Sequence, residues 1–264
     1  MRHNVRALLL AAGMGTRLRP LTDRWPKCLM PIGERALLEY WLETLWQSGV
    51  QEVLVNLHYL PRIVHDFLDR PRFRNWVHSV EEQQLLGTAG TIQANAEFFR
   101  DHTVLLLHAD NYCQCKFNDF LEFHRLHRPI GTLMTMMTFD TEIPETCGIV
   151  ETDAHGVVQA FHEKVEKPPG TLANAAVYLL EPEILWWIEE NPDLTDFSTQ
   201  ILPQYIGRIA TWHNDGNHRD IGTTKELQEA QKDPKPTSFW GNDMWQQRFL
   251  RHPIHQMLRD SYDT

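Results

Sequence analysis

Apolar positions along the chain fall into short unbroken runs that alternate with stripes at helical spacing. Residues 7–12 (ALLLAA) form one such run and stop at a turn with Gly13 and Gly15, as a strand buried on both faces does. Residues 36–48 (ALLEYWLETLWQS) place apolar side chains on one helical face and end at Gly49, a natural helix stop. A β-rich run follows at 52–56, and residues 61–68 begin with Pro61, which suits a first helical turn. Further along, 76–80 predicts a strand, 88–96 a helix, and 104–108 (VLLLH) a buried strand that ends at Ala109, Asp110 and Asn111. Strands separated by helices imply parallel pairing with right-handed crossovers.

The pattern changes in the second half. Residues 133–138, 148–152, 157–162 and 173–180 are β-rich and closely spaced, with a hairpin turn at Gly156. Antiparallel strands added to a parallel core are expected. Helical patterns return at 182–190, 197–206 and 224–232, and a proline-bearing break follows at 233–236. The fold class is therefore α/β, with a mixed, mainly parallel sheet flanked by helices. Residues 1–232 are expected to form one domain. Residues 233–264 should form a helical tail packed on that domain or on a partner subunit, which would make a homodimer. Core or interface packing accounts for Trp240, Trp245 and Phe249 better than a binding platform does. Neither an internal repeat nor a hexapeptide period is present.

Composition narrows the functional classes. The 264 residues are 42% hydrophobic, and no window nears 18 consecutive apolar residues, so no membrane span is expected. With 25 basic and 35 acidic residues the net charge is −10, which argues against nucleic acid or an anionic membrane as partner. It leaves room for a small anion held by a few local cations. Cys28, Cys113, Cys115 and Cys147 fit no disulfide framework, and the Cys113/Cys115 pair lacks the partners of a zinc set. The start of the chain is like a signal peptide only superficially. Its apolar run leads straight into the glycine turn, so cleavage would destroy it, and a cytoplasmic location is expected.

Candidate chemistry concentrates in residues 11–32 (AAGMGTRLRPLTDRWPKCLMPI). A buried strand opening into a glycine-bearing loop offers backbone N–H groups to phosphate oxygens, and Arg17 and Lys27 add charge. Ala12, Gly13, Gly15 and Thr16 are the expected cradle of a polyphosphate. A dinucleotide fingerprint fails because Leu18 occupies the third glycine position, and a P-loop is absent.

What remains, G-x-G-T-R-L-R-P-L-T followed by P-K-C-L-M-P-I, resembles the signature of the sugar-phosphate nucleotidyltransferases. The resemblance covers roughly residues 5–230 and implies a Rossmann-like nucleotidyltransferase fold. It also implies attack by a sugar 1-phosphate on the α-phosphorus of a nucleoside triphosphate, with pyrophosphate leaving in line. By that resemblance Arg17 grips phosphate oxygens and Lys27 meets phosphate near the α-position; Arg19 stays open.

The other elements of the resemblance follow in order along the chain. Asp110, after VLLLH, is similar to a Mg²⁺-binding Asp, with Ala109 where glycine is usual. Asp220, in R-D-I-G-T, resembles the second Mg²⁺ ligand, although Asn217, His218 and Arg219 depart from an aromatic lead-in. Residues 82–90 (EQQLLGTAG) resemble the nucleobase segment, with Gly87 and Thr88 offering backbone contacts and Gln84 or Glu82 beside the base. The alternative for Thr88 is an ordinary helix N-cap. Glu163 and Lys164 resemble the element that meets the sugar hydroxyls and phosphate, with Lys167 as a rival. Asn174 is similar to a sugar-hydroxyl contact, and Ala176 stands where glycine is common. The short chain and L-L-G-T-A-G resemble mannose- or heptose-1-phosphate guanylyltransferases most. Uridylyl or thymidylyl transfer to a glucose-type 1-phosphate remains an alternative, as does a non-catalytic nucleotide-sugar-binding homologue.

Overall fold

The alternation of side chains along the apolar runs decides the layering. The computed structural model describes residues 4–261. Its strands are β1 (Val5–Leu10), β2 (Pro31–Ile32), β3 (Arg35–Ala36), β4 (Glu52–Leu57), β5 (Val77–Glu81), β6 (Thr103–His108), β7 (Asn111–Cys113), β8 (Met134–Asp140), β9 (Gly148–Thr152), β10 (Val158–Glu163), β11 (Leu172–Leu180), β12 (Ile209–His213) and β13 (His218–Asp220). Its α-helices are α1 (Leu37–Gln47), α2 (Pro61–Leu68), α3 (Gly87–Ala94), α4 (Ala96–Phe99), α5 (Phe117–Glu122), α6 (Pro182–Glu189), α7 (Thr224–Lys232), α8 (Met244–Leu250) and α9 (Ile254–Asp260).

The main sheet runs β10-β9-β11-β6-β1-β4-β5, and β8 pairs with β11 and β12. Strands β6, β1, β4 and β5 are mutually parallel, whereas β11 joins β6, β8 and β9 antiparallel. The mixed sheet thus matches the expectation. Ala7 and Leu9 of β1 enter a core shared with α1, α2 and α7, and the intervening Leu8 enters a second core with α3, α4 and α6. Helices therefore cover both faces, and most apolar residues of the central strands are buried on one side or the other. In such a sheet ligands gather at the carboxyl ends of the strands.

Several local expectations shift. Residues 197–206 form a wide turn (Phe197–Ile201) and a tight turn (Leu202–Tyr205) rather than an α-helix. The helix expected at 88–96 starts at Gly87 and breaks at Asn95 before α4. The Gly156 turn holds: Gly156 sits at φ +74 and its N–H donates to the Asp153 carbonyl. Beyond α7, Trp245 and Phe249 of α8 and Ile254 and Leu258 of α9 are buried in the first core. Among the described residues no helix is long and apolar enough to cross a membrane.

A buried polar knot sits at the end of β11. Glu181 accepts from His124 Nε2 at 2.9 Å and from Arg128, and Thr135 Oγ1 meets His124 Nδ1 at 2.7 Å. The His124 bond, with Arg128 beside it, pulls the Glu181 carboxyl down to about 2, and burial lowers the His124 imidazole below its usual range. The unfolded carboxyl takes its proton near 4.5 and the folded one only near 2. This stability is therefore complete above pH 4.5 and lost as pH falls towards 2, by about 2–3 kcal/mol. The depressed His124 adds a loss that starts below its unfolded value of 6.5. Thermal midpoints between pH 7 and 3 should fall more steeply for the wild type than for Glu181→Gln; parallel curves would refute the assignment.

Candidate active site

The loop after β1 owes its shape to packing below and open space above. Ala11 N–H donates to Asn56 Oδ1 at 2.7 Å, and Ala12 is buried. Gly15 adopts φ +62, where a Cβ would stand 3.0 Å from both Lys27 Cβ and Thr22 Cγ2. Its carbonyl accepts from Thr22 Oγ1 at 2.8 Å and from Leu18 N at 2.9 Å. Leu18 is fully buried, which explains why no third glycine is needed: that position plugs the core, and the chain makes a single tight turn, Thr16–Leu18. Gly13, Thr16 and Arg17 stay exposed.

Arg17, Lys27, Asp110 and Asp220 come together in one charged cluster. Lys27 lies in the turn Lys27–Leu29, wedged by buried Cys28 and Leu29, with only 7% of its surface accessible. Its Nζ is 2.5 Å from Asp110 Oδ2 and 3.4 Å from Asp220 Oδ1. Arg17 Nη2 reaches Asp220 Oδ2 at 3.7 Å. A Cβ on Gly222 would stand 2.7 Å from Arg17 Nη2, so a larger residue there would push the end of that side chain aside.

A short ribbon brings the two aspartates together from positions 110 residues apart. Strand β13 pairs antiparallel with β7, matching Asp220 to Asn111, and Ile221 N–H donates to the Asp110 carbonyl at 3.0 Å. Trp41 Nε1 donates to the Asn111 carbonyl at 2.7 Å, and Asn111 Nδ2 donates to the Ala175 carbonyl at 3.2 Å. His218 Nε2 meets the same carbonyl at 2.9 Å. Burial drives the His218 imidazole down to about 4, so the ring is neutral and Nε2 donates. Burial also opposes charge on Asp110, but Lys27 and His108 outweigh it and hold the carboxyl below its ordinary range. Asp110 is therefore ionised at neutral pH.

The cluster's donors are two carboxylates, and among the described residues no set of three His, Cys, Asp or Glu gathers around a point. Two hard oxygen donors with open positions fit Mg²⁺, which takes its other ligands from phosphate and water, and do not fit a closed zinc site. A cavity of about 460 Å³ between α1 and the start of α5 holds none of these four residues. Arg19 instead pairs locally with Asp23 at 3.3 Å.

The nucleobase-side residues divide into anchors and surface. Glu82 is buried: Oε1 accepts from Asn56 Nδ2 at 2.8 Å and Thr91 Oγ1 at 2.5 Å, and Oε2 accepts from Leu86 N at 3.2 Å. Its carboxylate thus pins the loop from inside, while Gln84 is exposed. Asn56 bridges Glu82 to Ala11 and so ties this loop to the phosphate loop. Sequence reading missed Asn56; the signal was a polar residue at the carboxyl end of the apolar run EVLVN. Thr88 does not cap α3, because the helix already starts at Gly87; its hydroxyl accepts from Phe197 N at 2.7 Å. Gly87 adopts φ +76, and a Cβ there would stand 2.2 Å from the Thr195 carbonyl oxygen. Gly87→Ala should destabilise the chain by about 2–4 kcal/mol, since backbone must shift and the left-handed conformation is strained. A denaturation midpoint equal to wild type would contradict that packing.

On the far side of β6, β10 ends in Glu163 and β11 carries Asn174. Gly148 makes space for the Phe161 ring, 2.7 Å from a Cβ there, and beside it for Glu163 Oε2 at 2.9 Å. Lys164 is exposed at φ +49 with its Nζ 3.3 Å from Glu163 Oε1, and Lys167 follows in the same exposed loop. The pairing register of β11 shifts between Asn174 and Tyr178, and Ala176 within that shift adopts φ +53. Asn174 lies next to Ala175, whose carbonyl the ribbon grips, and so stands beside the carboxyl end of β6.

A family model described as nucleotidyl transferase matches residues 6–235. The chain is 29% identical over 232 residues to mannose-1-phosphate guanyltransferase 2 of Candida glabrata, covering 84% of this chain and 63% of that protein. It is 31% identical over 216 residues to the UTP–glucose-1-phosphate uridylyltransferase of Synechocystis sp., covering 76% and 55%. It is 30% identical over 278 aligned positions to the glucose-1-phosphate adenylyltransferase of Thermotoga neapolitana, covering 94% and 65%. The chain thus spans less than two thirds of these relatives' length. A Bacillus anthracis structure, a candidate glucose-1-phosphate thymidylyltransferase in complex with sucrose, superposes with a TM-score of 0.77 at 19% identity. The match covers 86% of this chain and 94% of that one, and shows the shared fold.

Proposed function

The chain belongs to the nucleotidyl transferase family, and from that premise we propose that it moves a nucleoside monophosphate from a nucleoside triphosphate to a sugar 1-phosphate, releasing pyrophosphate. The observation that carries this reading is Lys27, nearly buried and spanning Asp110 and Asp220 beside Arg17. A sugar phosphate oxygen is already an anion near neutral pH, so its attack needs no general base. The barrier is set by alignment and by neutralising charge. Arg17 and Lys27 supply that neutralisation, Arg17 on the outer phosphates and Lys27 near the α-phosphorus. Residues 12–16 align the triphosphate through backbone N–H groups. Mg²⁺ on Asp110 and Asp220 would supply Lewis-acid charge at the phosphates. Glu163, Lys164 and Asn174 hold the sugar phosphate.

GTP and a mannose- or heptose-type sugar form the favoured pair, supported by the L-L-G-T-A-G run and by guanylyl-transferring relatives. The uridylyl reading on a glucose-type sugar is the second, supported by a relative of equal similarity. An adenylyl relative of similar identity adds ATP, a base the sequence reading did not carry. Pyrophosphate release from each nucleoside triphosphate against a panel of sugar 1-phosphates with Mg²⁺ tests this function. One pair should exceed the others by at least about tenfold in kcat/KM. No release with any pair would defeat the activity and favour a non-catalytic binding role.

A further inference from the structure

A four-residue link, Thr195 to Ser198, joins the two arms of the site without entering the phosphate or metal chemistry. On the nucleobase side, the Thr195 carbonyl accepts from Ala89 N at 3.0 Å and fills the space that Gly87 leaves open. Phe197 N–H donates to Thr88 Oγ1 at 2.7 Å. On the sugar side, the buried Phe197 ring packs on Tyr178 with centroids 4.8 Å apart. Tyr178 accepts from Asn174 Nδ2 at 2.5 Å and shares a further hydrogen bond with Ser198. Burial raises the Tyr178 phenol, so it keeps its proton at neutral pH.

The link itself is stiff. Gln200 Oε1 accepts from Thr195 N and Asp196 N, both at 2.8 Å, and Asp196 Oδ1 accepts from Thr199 N at 2.7 Å. Asn174 is equally constrained, because its Oδ1 also accepts from Ala176 N at 2.9 Å. One amide proton and one lone pair of Asn174 are left for a ligand. Any shift of the Gly87 and Thr88 loop on taking up a base therefore presses on Phe197, and through Tyr178 on Asn174.

We propose that Thr195, Phe197 and Ser198 couple the nucleotide and sugar sites, with Tyr178 as the positioning residue that sets Asn174 for the sugar. The inference rests on the transfer activity proposed above for what binds on each side; the link does not depend on it. Coupling of this kind is reciprocal: a bound base tightens the sugar site and a bound sugar tightens the base site.

Steady-state kinetics on Tyr178→Phe, Thr88→Val and the double variant test it, together with hydrogen exchange on the unliganded full chain. Tyr178→Phe should raise KM for the sugar 1-phosphate about fivefold, the loss of one hydrogen bond, and by reciprocity raise the nucleotide KM at saturating sugar as well, while kcat moves by less than about twofold. Thr88→Val, on the nucleotide side, should also raise the sugar KM, and the double variant should add little to either single effect. Amides of Gly87–Ala94 should exchange faster in Tyr178→Phe than in wild type. Additive effects on the sugar KM, or unchanged exchange across that helix, would overturn the coupling. A wild type without turnover defeats the transfer reading instead and leaves exchange alone to decide the link.

Discussion

Asp110→Asn is expected to lower kcat by about 10²- to 10³-fold while leaving the fold intact, the range seen when one preorganised charge is removed from a reaction centre. Asparagine matches aspartate in size and can still accept from Lys27 through its amide oxygen. What it removes is the negative charge that Lys27 stabilises against burial. Loss of one of two hard donors should also raise the Mg²⁺ concentration needed for half-maximal rate. Pyrophosphate release across a Mg²⁺ series, with thermal unfolding alongside, reads both effects. Turnover near wild type at low Mg²⁺ would refute the placement of the metal and of Asp110.

Lys27→Met should have the next largest effect, a fall in kcat of about 100-fold. Its ammonium is nearly buried and, among the described residues, is the one cation in contact with both carboxylates. Without it, Asp110 and Asp220 face each other across a partly desolvated gap, and like charges with burial push the Asp110 carboxyl upward. The variant should therefore unfold at a lower temperature than wild type and regain more of that loss when Mg²⁺ is added, because a divalent cation replaces the missing charge. Parallel Mg²⁺ responses of the two thermal midpoints, with kcat within about threefold of wild type, would show that Lys27 is an ordinary buried lysine.

These expectations differ in how far they were legible along the chain. Arg17 and Lys27 stand close to the glycine turn in sequence, so local motif reading reached them. Asp110 was legible because it ends an apolar run that had to be a central strand. Glu82 is the instructive exception. Its acidic side chain beside a glycine loop reads as a ligand contact, yet three hydrogen bonds turn it inward as an anchor. Its partners Asn56 and Thr91 lie 26 and 9 residues away, on other elements. The segment 197–206 failed for a related reason. Its apolar spacing is helical, but Phe197 N is claimed by Thr88 and the chain is drawn into turns that serve α3.

The chain by itself determined the mixed sheet, the glycine turn after the first strand and the residue types that can hold phosphate, because these depend on short-range periodicity and on neighbours within a few residues. Only the tertiary structure decided that Asp220 pairs with Asp110, that Lys27 lies between them, and that Tyr178 reaches Asn174 on one side and Ser198 on the other. The β7–β13 ribbon is three residues long on each side. Strands that short carry almost no signal of their own, and they form here because the packed cores bring their backbones within hydrogen-bonding distance.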